Sequence, residues 1–345
     1  MSRSAVLCGL GAVVPPRRVT NDEIAARLDT SHEWIHSRTG ISSRHVVDPG
    51  VATSDLAVEA GSRALASAEG ADGVDLVVLA TATPDHPLPG TAPAVASRLG
   101  LDGVPAFDVA AVCSGFVYGL AVGAGAIASG LADRVLVIGA DAFTSILDPN
   151  DRNTAAIFGD GAGAVVLRAG DPTEDGALLG FDLGSDGTNA DLIQVPGGGS
   201  RQRSGGQSIN PDETYFAMQG RAVYRHAVAR MAASTRAVLA QAQWDVADVD
   251  AFVGHQANAR ILTAVADSVG VPRDRAVIAI EHVGNTSAAS IPLALTHAAT
   301  KGGLSAGDRV VLTAFGGGLT WGSGALTWPA LRPERLQPYT EDEAA

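Results

Sequence analysis

Three short segments carry residue types that could perform acyl transfer. In AFDVAAVCSGFVYGL, residues 106–120, Cys113 stands in an apolar run and is followed at once by Ser114 and Gly115. Residues 104–109 read as a strand and a helix starts at Ser114–Gly115. The sulfur is therefore expected at a helix N-terminus, where unpaired amides and the helix dipole favour a thiolate. Taken alone, a buried cysteine in such a run is more often inert packing. In GHQANARI, residues 254–261, His255 directly follows the apolar VDAFV and shares its turn with Gln256, Asn258 and Arg260. A polar cluster at the carboxyl end of a buried strand is a usual place for a site in α/β proteins. In HVGNTSAASIP, residues 282–292, Asn285 precedes small residues that open a helix. Alone it reads as a helix N-cap, or as a glycosylation sequon in an oxidising compartment. A thiol, an imidazole and a neutral amide are a nucleophile, a base or donor, and a second donor. With the side-chain-free amides of AFGGGLTWG (314–322), Gly316 to Gly318 among them, they suffice to attack a thioester and hold its oxyanion. A cysteine protease uses the same residue types, and these segments alone do not separate the two.

The chain that must position these residues has 345 amino acids, enough for two domains or one large double unit. Apolar residues make up 46% and charged residues 18%, the balance of a globular protein. A net charge of −13 argues against nucleic acid and against an anionic membrane surface as partners. An anionic substrate would need local arginines acting against that field. Two cysteines, Cys8 and Cys113, cannot build a disulfide framework or a cysteine-rich metal site, so a reducing cytoplasm is expected. The N-terminus lacks a signal-peptide pattern. Residues 109–132 carry no charge over a length that could span a membrane. Their Ala/Gly-rich composition, and the strand-like DRVLVIGA that follows, point instead to a helix buried in a protein core.

Near-continuous Val/Leu/Ile runs predict strands at 74–83, 133–143 and 162–170, and again at 249–258, 308–318 and 323–330, each covered on both faces of its sheet. Helices are predicted at 53–69, 90–99, 114–131, 217–242, 257–269 and 286–301. DRVLVIGADAF is echoed by DRVVLTAFGGG, and GAGAVVL by GSGALTW. This indicates an internal duplication of about 150 residues, far beyond a solenoid period. The expected architecture is α/β, with duplicated halves in a five-layer α/β/α/β/α sandwich. Residues 1–172 form the N-terminal half and 173–330 the C-terminal half. The latter includes a mobile Gly/Ser-rich insertion at 196–213, and 331–345 form a disordered tail.

With DTSHEWIHSRTGI (29–41) and DPNDRNTAAIFGDGAGA (148–164), the three segments closely resemble β-ketoacyl-acyl-carrier-protein synthase III of the thiolase superfamily, over about residues 4–329. HQANARI and GNTSAAS carry most of the likeness. The resemblance implies the thiolase fold, a homodimer, and a ping-pong condensation that initiates fatty acid or polyketide synthesis. Cys113 would take an acyl group from acyl-coenzyme A. Malonyl on an acyl carrier protein would then lose carbon dioxide, and its carbanion would attack the acyl-cysteine. His255 and Asn285 match the pair that stabilises the enolate, and the amides of Cys113 and Gly317 match the oxyanion hole. Thr30, Trp34, Arg38, Arg152, Asn258 and Arg260 match coenzyme A contacts, with Trp34 stacked on adenine and Arg152 on its other face. Those arginines meet the requirement set by the charge. No cofactor or metal is implied, coenzyme A thioester being a substrate.

Some positions depart from the family pattern. Asp267 and Ser268 stand where lysines often face the carrier protein, which leaves Arg225 and Arg260 as its expected docking contacts. Arg221 replaces a usual Asn. Leu88 stands where many relatives place a Phe that closes the acyl pocket across the dimer, and a smaller residue there permits branched or longer starters. Two other functions share these features: an acyltransferase of the same fold acting on a hydroxyl or amine, and a non-catalytic heterodimer subunit. Retention of Asn285 speaks against the first and of Cys113 against the second.

Overall fold

The computed structural model describes residues 3–68, 73–206, 208, 210–331 and 333–339. Ten strands form its two principal sheets: β1 (Ser4–Val14), β2 (Leu76–Ala80), β3 (Ala106–Val109), β4 (Arg134–Asp141), β5 (Gly161–Gly170), β6 (Leu178–Ser185), β7 (Ala251–Gly254), β8 (Arg309–Gly316), β9 (Thr320–Thr327) and β10 (Gln337–Pro338). The first sheet runs β10-β1-β5-β4-β2-β3 and the second β6-β9-β8-β7. Each predicted strand and each predicted helix of the sequence reading falls on an observed one, with boundaries trimmed or shifted by up to four residues.

The duplication is explicit in the pairing. β1, β5, β4 and β2 pair antiparallel, antiparallel and parallel, and β6, β9, β8 and β7 repeat that order and polarity. Where the first sheet adds β3 beside β2, the second has a single parallel bridge from Phe252 to Ala276.

β2 is buried at every residue and β4 at all but its first, so both faces must be covered. One face of the first sheet packs on the helices Thr53–Ser67 and Ala92–Arg98 through Leu79, Leu136, Ile138 and Val166. Its other face meets the two central helices, Gly115–Ser129 and Ser290–Thr300. Their Phe116, Leu120, Ile291 and Leu295 also pack on Val253, Leu312 and Leu326 of the second sheet. The helices Gly220–Ala242 and Ala259–Val269 close the outer face of that sheet against Phe252, Val311 and Ala325. The layers are thus α/β/α/β/α. Val112–Ser129, a stretch long and apolar enough to cross a membrane, runs into the first central helix between the sheets.

Two expectations are revised. The tail does not begin as disordered chain: Gln337–Pro338 pair in parallel with Val13–Val14, Tyr339 N–H donates to Val14 O at 2.7 Å, and the Tyr339 ring is buried in the first-sheet core. Those bonds satisfy backbone groups at the β1 edge, and burial of the ring offsets the entropy of ordering the segment. Residue 332 and residues 340–345 lie outside the described residues. The 196–213 insertion is not featureless either. It holds a short helix, Ser200–Ser204, and Gly197 N–H donates to Glu213 O at 2.7 Å. Residues 207 and 209 lie outside the described residues. At its base, Ile193–Gln194 pair with Ala217–Met218, which brings both ends of the insertion against the site.

Candidate active site

Cys113, His255 and Asn285 come from three distant parts of the chain and line one cavity of about 40 Å³. Cys113 lies in the turn Val112–Ser114 that leads into the first central helix. Asn285 lies just before the corresponding turn, Ser287–Ala289, that leads into the second. His255 leaves the end of β7, its backbone N–H donating to Thr313 O of β8 at 2.8 Å. The rest of the wall is apolar, including Phe158, Ile193, Phe216, Met218, Met231 and Phe315.

The duplication explains why the Cys113 amide is available. Val112 and Ser287 open equivalent turns, with left-handed φ of 46° and 49°, so Ala288 is the counterpart of Cys113. β4 and β8 end on equivalent residues, Asp141 and Gly316. In one half, Asp141 Oδ2 accepts the Ala288 N–H at 3.0 Å, which consumes that amide. In the other, Gly316 has no side chain to do so, and a Cβ there would stand 2.9 Å from the nitrogens of Cys113 and Ser114. The glycine therefore brings the start of the Gly316–Gly318 turn against the Cys113 backbone and adds no competing acceptor.

Each polar group of the triad is held on one side only. Asn285 Oδ1 accepts the Ser287 N–H at 3.0 Å, which leaves its NH₂ as the donor end. Its backbone is fixed against residues 157–159, in an isolated parallel bridge with Phe158, by Asn285 N–H to Ile157 O and Gly159 N–H to Asn285 O, both 3.0 Å. His255 is 2% exposed, and burial lowers its pKa to about 3, so the ring is neutral. It offers a hydrogen bond rather than a positive charge.

The sulfur differs from the sequence-based expectation. Burial pushes the Cys113 thiol up to about 12, and the nearby Asp141 carboxylate acts in the same direction. The Ser287 side chain and the residue's own backbone pull the other way without offsetting burial. The resting sulfur is a protonated thiol. Helix-end amides stabilise the anion only as it forms, because desolvation outweighs them in so dry a site.

A second cavity of about 560 Å³ opens outside the first and shares Met218, Val223, Ala257, Ile261 and Asn285 with it. Trp34, Arg38, Asn258 and Arg260 line this outer funnel, together with Arg221 and Tyr224. The Arg38 guanidinium lies 4.5 Å from the Trp34 ring centroid and that of Arg152 lies 5.6 Å from it. Arg152 is tied to Asp29 at 3.1 Å. Asn258 is the N-cap of Ala259–Val269, with Oδ1 accepting from Arg260 N–H and Nδ2 donating to Arg38 O at 2.9 Å, so its amide is structurally engaged. Thr30 is not among the funnel residues, but its Oγ1 is buried with no hydrogen-bond partner among the described residues. Arg225 is exposed one residue beyond Tyr224.

A third cavity, about 320 Å³, meets the catalytic one at Ile193 and Phe216 and is lined by Ala82, Ala110, Val112, Phe143 and Ile146 among others. Leu88 is 85% exposed and lines none of the three cavities within its own chain.

Residues 107–187 match the family description 3-oxoacyl-[acyl-carrier-protein (ACP)] synthase III, and residues 239–328 match its C-terminal part. The chain is 62% identical to β-ketoacyl-[acyl-carrier-protein] synthase III 5 of Streptomyces coelicolor, over 95% of this chain and 98% of that one. The chain belongs to the β-ketoacyl-acyl-carrier-protein synthase III family. It is 54% identical to the enzyme of that name from Pseudomonas aeruginosa, over 96% and 99% of the two chains. The crystal structure of 3-oxoacyl-(acyl carrier protein) synthase III from Pseudomonas aeruginosa superposes with a TM-score of 0.90 at 52% identity, covering 96% of this chain and all of that one. The priming β-ketosynthase of a polyketide biosynthetic pathway superposes with a TM-score of 0.89 at 34% identity, covering 96% and 98%. The fold is accordingly the thiolase fold, and the protein is an enzyme of the β-ketoacyl-acyl-carrier-protein synthase III type.

Sequence reasoning did not single out Asp141, Ser287 or Ser290, nor the aromatic wall of Phe143, Phe158 and Phe216. Asp141 had a readable signal, an acid at the carboxyl end of a buried strand. The others become visible only when the two halves close on each other.

Proposed function

We propose that this synthase condenses an acyl-coenzyme A starter with malonyl-acyl carrier protein by a ping-pong route through an acyl-cysteine at Cys113, initiating fatty acid or polyketide chains. The observation that carries the reading is the small, apolar-walled cavity shared by a thiol and two neutral donors, with a glycine turn seated against the thiol's backbone.

In the first half-reaction, Cys113 Sγ attacks the thioester carbonyl, and the backbone amides of Cys113 and Gly317 receive the oxyanion. The thiol proton leaves with coenzyme A, so the exchange is neutral overall. Coenzyme A enters by the outer funnel, where Arg38 and Arg260 take its phosphates and the Trp34 ring meets its base. A base stacked between Trp34 and Arg152 displaces Arg152 from its present position, and Thr30, next in the chain to the Asp29 that holds Arg152, is the further adenine contact the resemblance implies. In the second half-reaction, His255 and Asn285 donate to the malonyl thioester oxygen, which becomes an enolate as carbon dioxide departs. Two neutral donors suit this step, since a cation there would hold the malonyl carboxylate back from leaving. The apolar wall keeps water from the acyl-cysteine.

The starter chain occupies the third cavity, which Leu88 of a second copy closes in a homodimer. Arg225 and Arg260, beside the funnel, draw the acidic carrier. The two cysteines, both free, fit a reducing, cytoplasmic setting. The discriminating experiment supplies malonyl-carrier protein with acetyl-, isobutyryl- and longer acyl-coenzyme A. Release of carbon dioxide with formation of a β-ketoacyl-carrier protein is expected. Acyl transfer to an alcohol or amine without carbon dioxide would select the acyltransferase reading instead.

A further inference from the structure

His255 can act as a donor only through one tautomer, and its ring has two nitrogens. Nδ1 is turned to the second central helix, 2.6 Å from Ser290 Oγ, and both residues are buried, at 2% and 1% exposure. The nitrogen left to meet a ligand in the catalytic cavity is Nε2. We propose that Ser290 is a positioning residue that fixes His255 as the Nε2–H tautomer, the form able to donate to the malonyl thioester oxygen. This rests on the condensation read above for the role of the donor, though not for the tautomer itself.

The argument is a count of donors and acceptors. Ser290 Oγ has one proton and two lone pairs. The backbone N–H of Gln256 donates to it at 3.3 Å, which takes one lone pair. That amide is aimed by its own side chain, because Gln256 Nε2 donates to Gly254 O at 2.7 Å and Val277 O at 3.1 Å while Oε1 accepts from Ala279 N–H at 2.8 Å. Helical serines often return the hydroxyl proton to a carbonyl about one turn back. Here, among the described residues, Ser290 Oγ makes no hydrogen bond to a carbonyl, and its two partners are His255 Nδ1 and the Gln256 N–H. Among the described residues, the acceptor facing the Ser290 proton is Nδ1. If Nδ1 carried hydrogen instead, Ser290 would accept twice and leave its own proton unpaired in a dry site, a cost of about 1–3 kcal/mol. With Nδ1 accepting, the neutral ring carries its proton on Nε2.

The test reads the tautomer directly. Nitrogen-15 NMR of the full-length protein with labelled histidine, assigned with His255→Ala, is expected to show a protonated Nε2 and an unprotonated Nδ1. An Nδ1–H tautomer in the unsubstituted protein overturns the proposal, with or without any variant. Ser290→Ala is expected to mix the tautomers and to slow malonyl decarboxylation about 10- to 100-fold, by analogy with the loss of a partner that orients a metal-bound histidine. Self-acylation of Cys113 should stay within about twofold, as a loss confined to the second half-reaction demands. Ser290→Thr, which keeps the hydroxyl, should restore decarboxylation. Equal loss of both half-reactions with the tautomer unchanged would show a merely structural role and overturn the proposal. An Nε2–H signal in a protein that decarboxylates no malonyl carrier would instead count against the condensation reading.

Discussion

Cys113→Ala protein incubated with radiolabelled acyl-coenzyme A is expected to retain no stoichiometric label, while the unsubstituted chain holds one acyl group per subunit. The expectation follows from position. Among the described residues Cys113 is the only sulfur nucleophile of the catalytic cavity, since the other cysteine, Cys8, lies on β1 and packs near Val166. Stability should be little changed, because the substitution keeps the Cβ and removes one small buried atom. The loss would therefore be chemical. The thiol raised to about 12 sharpens this expectation. A sulfur so firmly protonated at rest depends on the oxyanion amides and the departing coenzyme A to lose its proton. Iodoacetamide, which offers neither, should react slowly at neutral pH. Full labelling of Cys113→Ala would remove the acyl-cysteine from the mechanism.

The second large effect separates the two half-reactions. In Asn285→Ala, self-acylation should survive while condensation falls by about 10²- to 10³-fold, the scale of deleting one oxyanion donor. The asymmetry has a structural basis. Asn285 Oδ1 is taken by the Ser287 N–H, which leaves its NH₂ free to donate, whereas the proposed mechanism assigns the acylation oxyanion to backbone amides beside Gly316. The pH profile adds an independent mark. Burial holds His255 near 3, so the ring stays neutral as pH falls from 8 to 5, and decarboxylation should show no histidine limb in that window. A group whose pKa is depressed loses its neutral form only near that lower value. A limb near 6.5 would mean that His255 titrates as an exposed imidazole.

Much of this architecture was legible in the sequence because its elements are locally consistent. Residues 76–80 and 135–140 are apolar with no alternation, and both strands are covered on two faces. The echo of DRVLVIGADAF in DRVVLTAFGGG became two strands of identical place and polarity. What could not be read was long-range. Nothing in LRPERLQPYT announces that Gln337 and Pro338 find the β1 edge, since pairing depends on backbone groups left open more than 300 residues earlier. The thiol's protonation misled local reasoning for a similar cause. A helix end is visible in CSGF, but the desolvation imposed by Phe158, Phe216 and Phe315 is not. The pairing of His255 with Ser290 likewise spans 35 positions and two elements.

The central claim, a covalent acyl-Cys113 that is the true substrate of the condensation, is tested most directly by a chase. The enzyme is acylated with labelled acyl-coenzyme A, freed of coenzyme A by gel filtration, and its mass recorded. Malonyl-carrier protein is then added alone. The account predicts that the acyl mass on Cys113 disappears as one equivalent of carbon dioxide and one of labelled β-ketoacyl-carrier protein appear. An acyl-enzyme that persists while product forms only after fresh acyl-coenzyme A is supplied would contradict it.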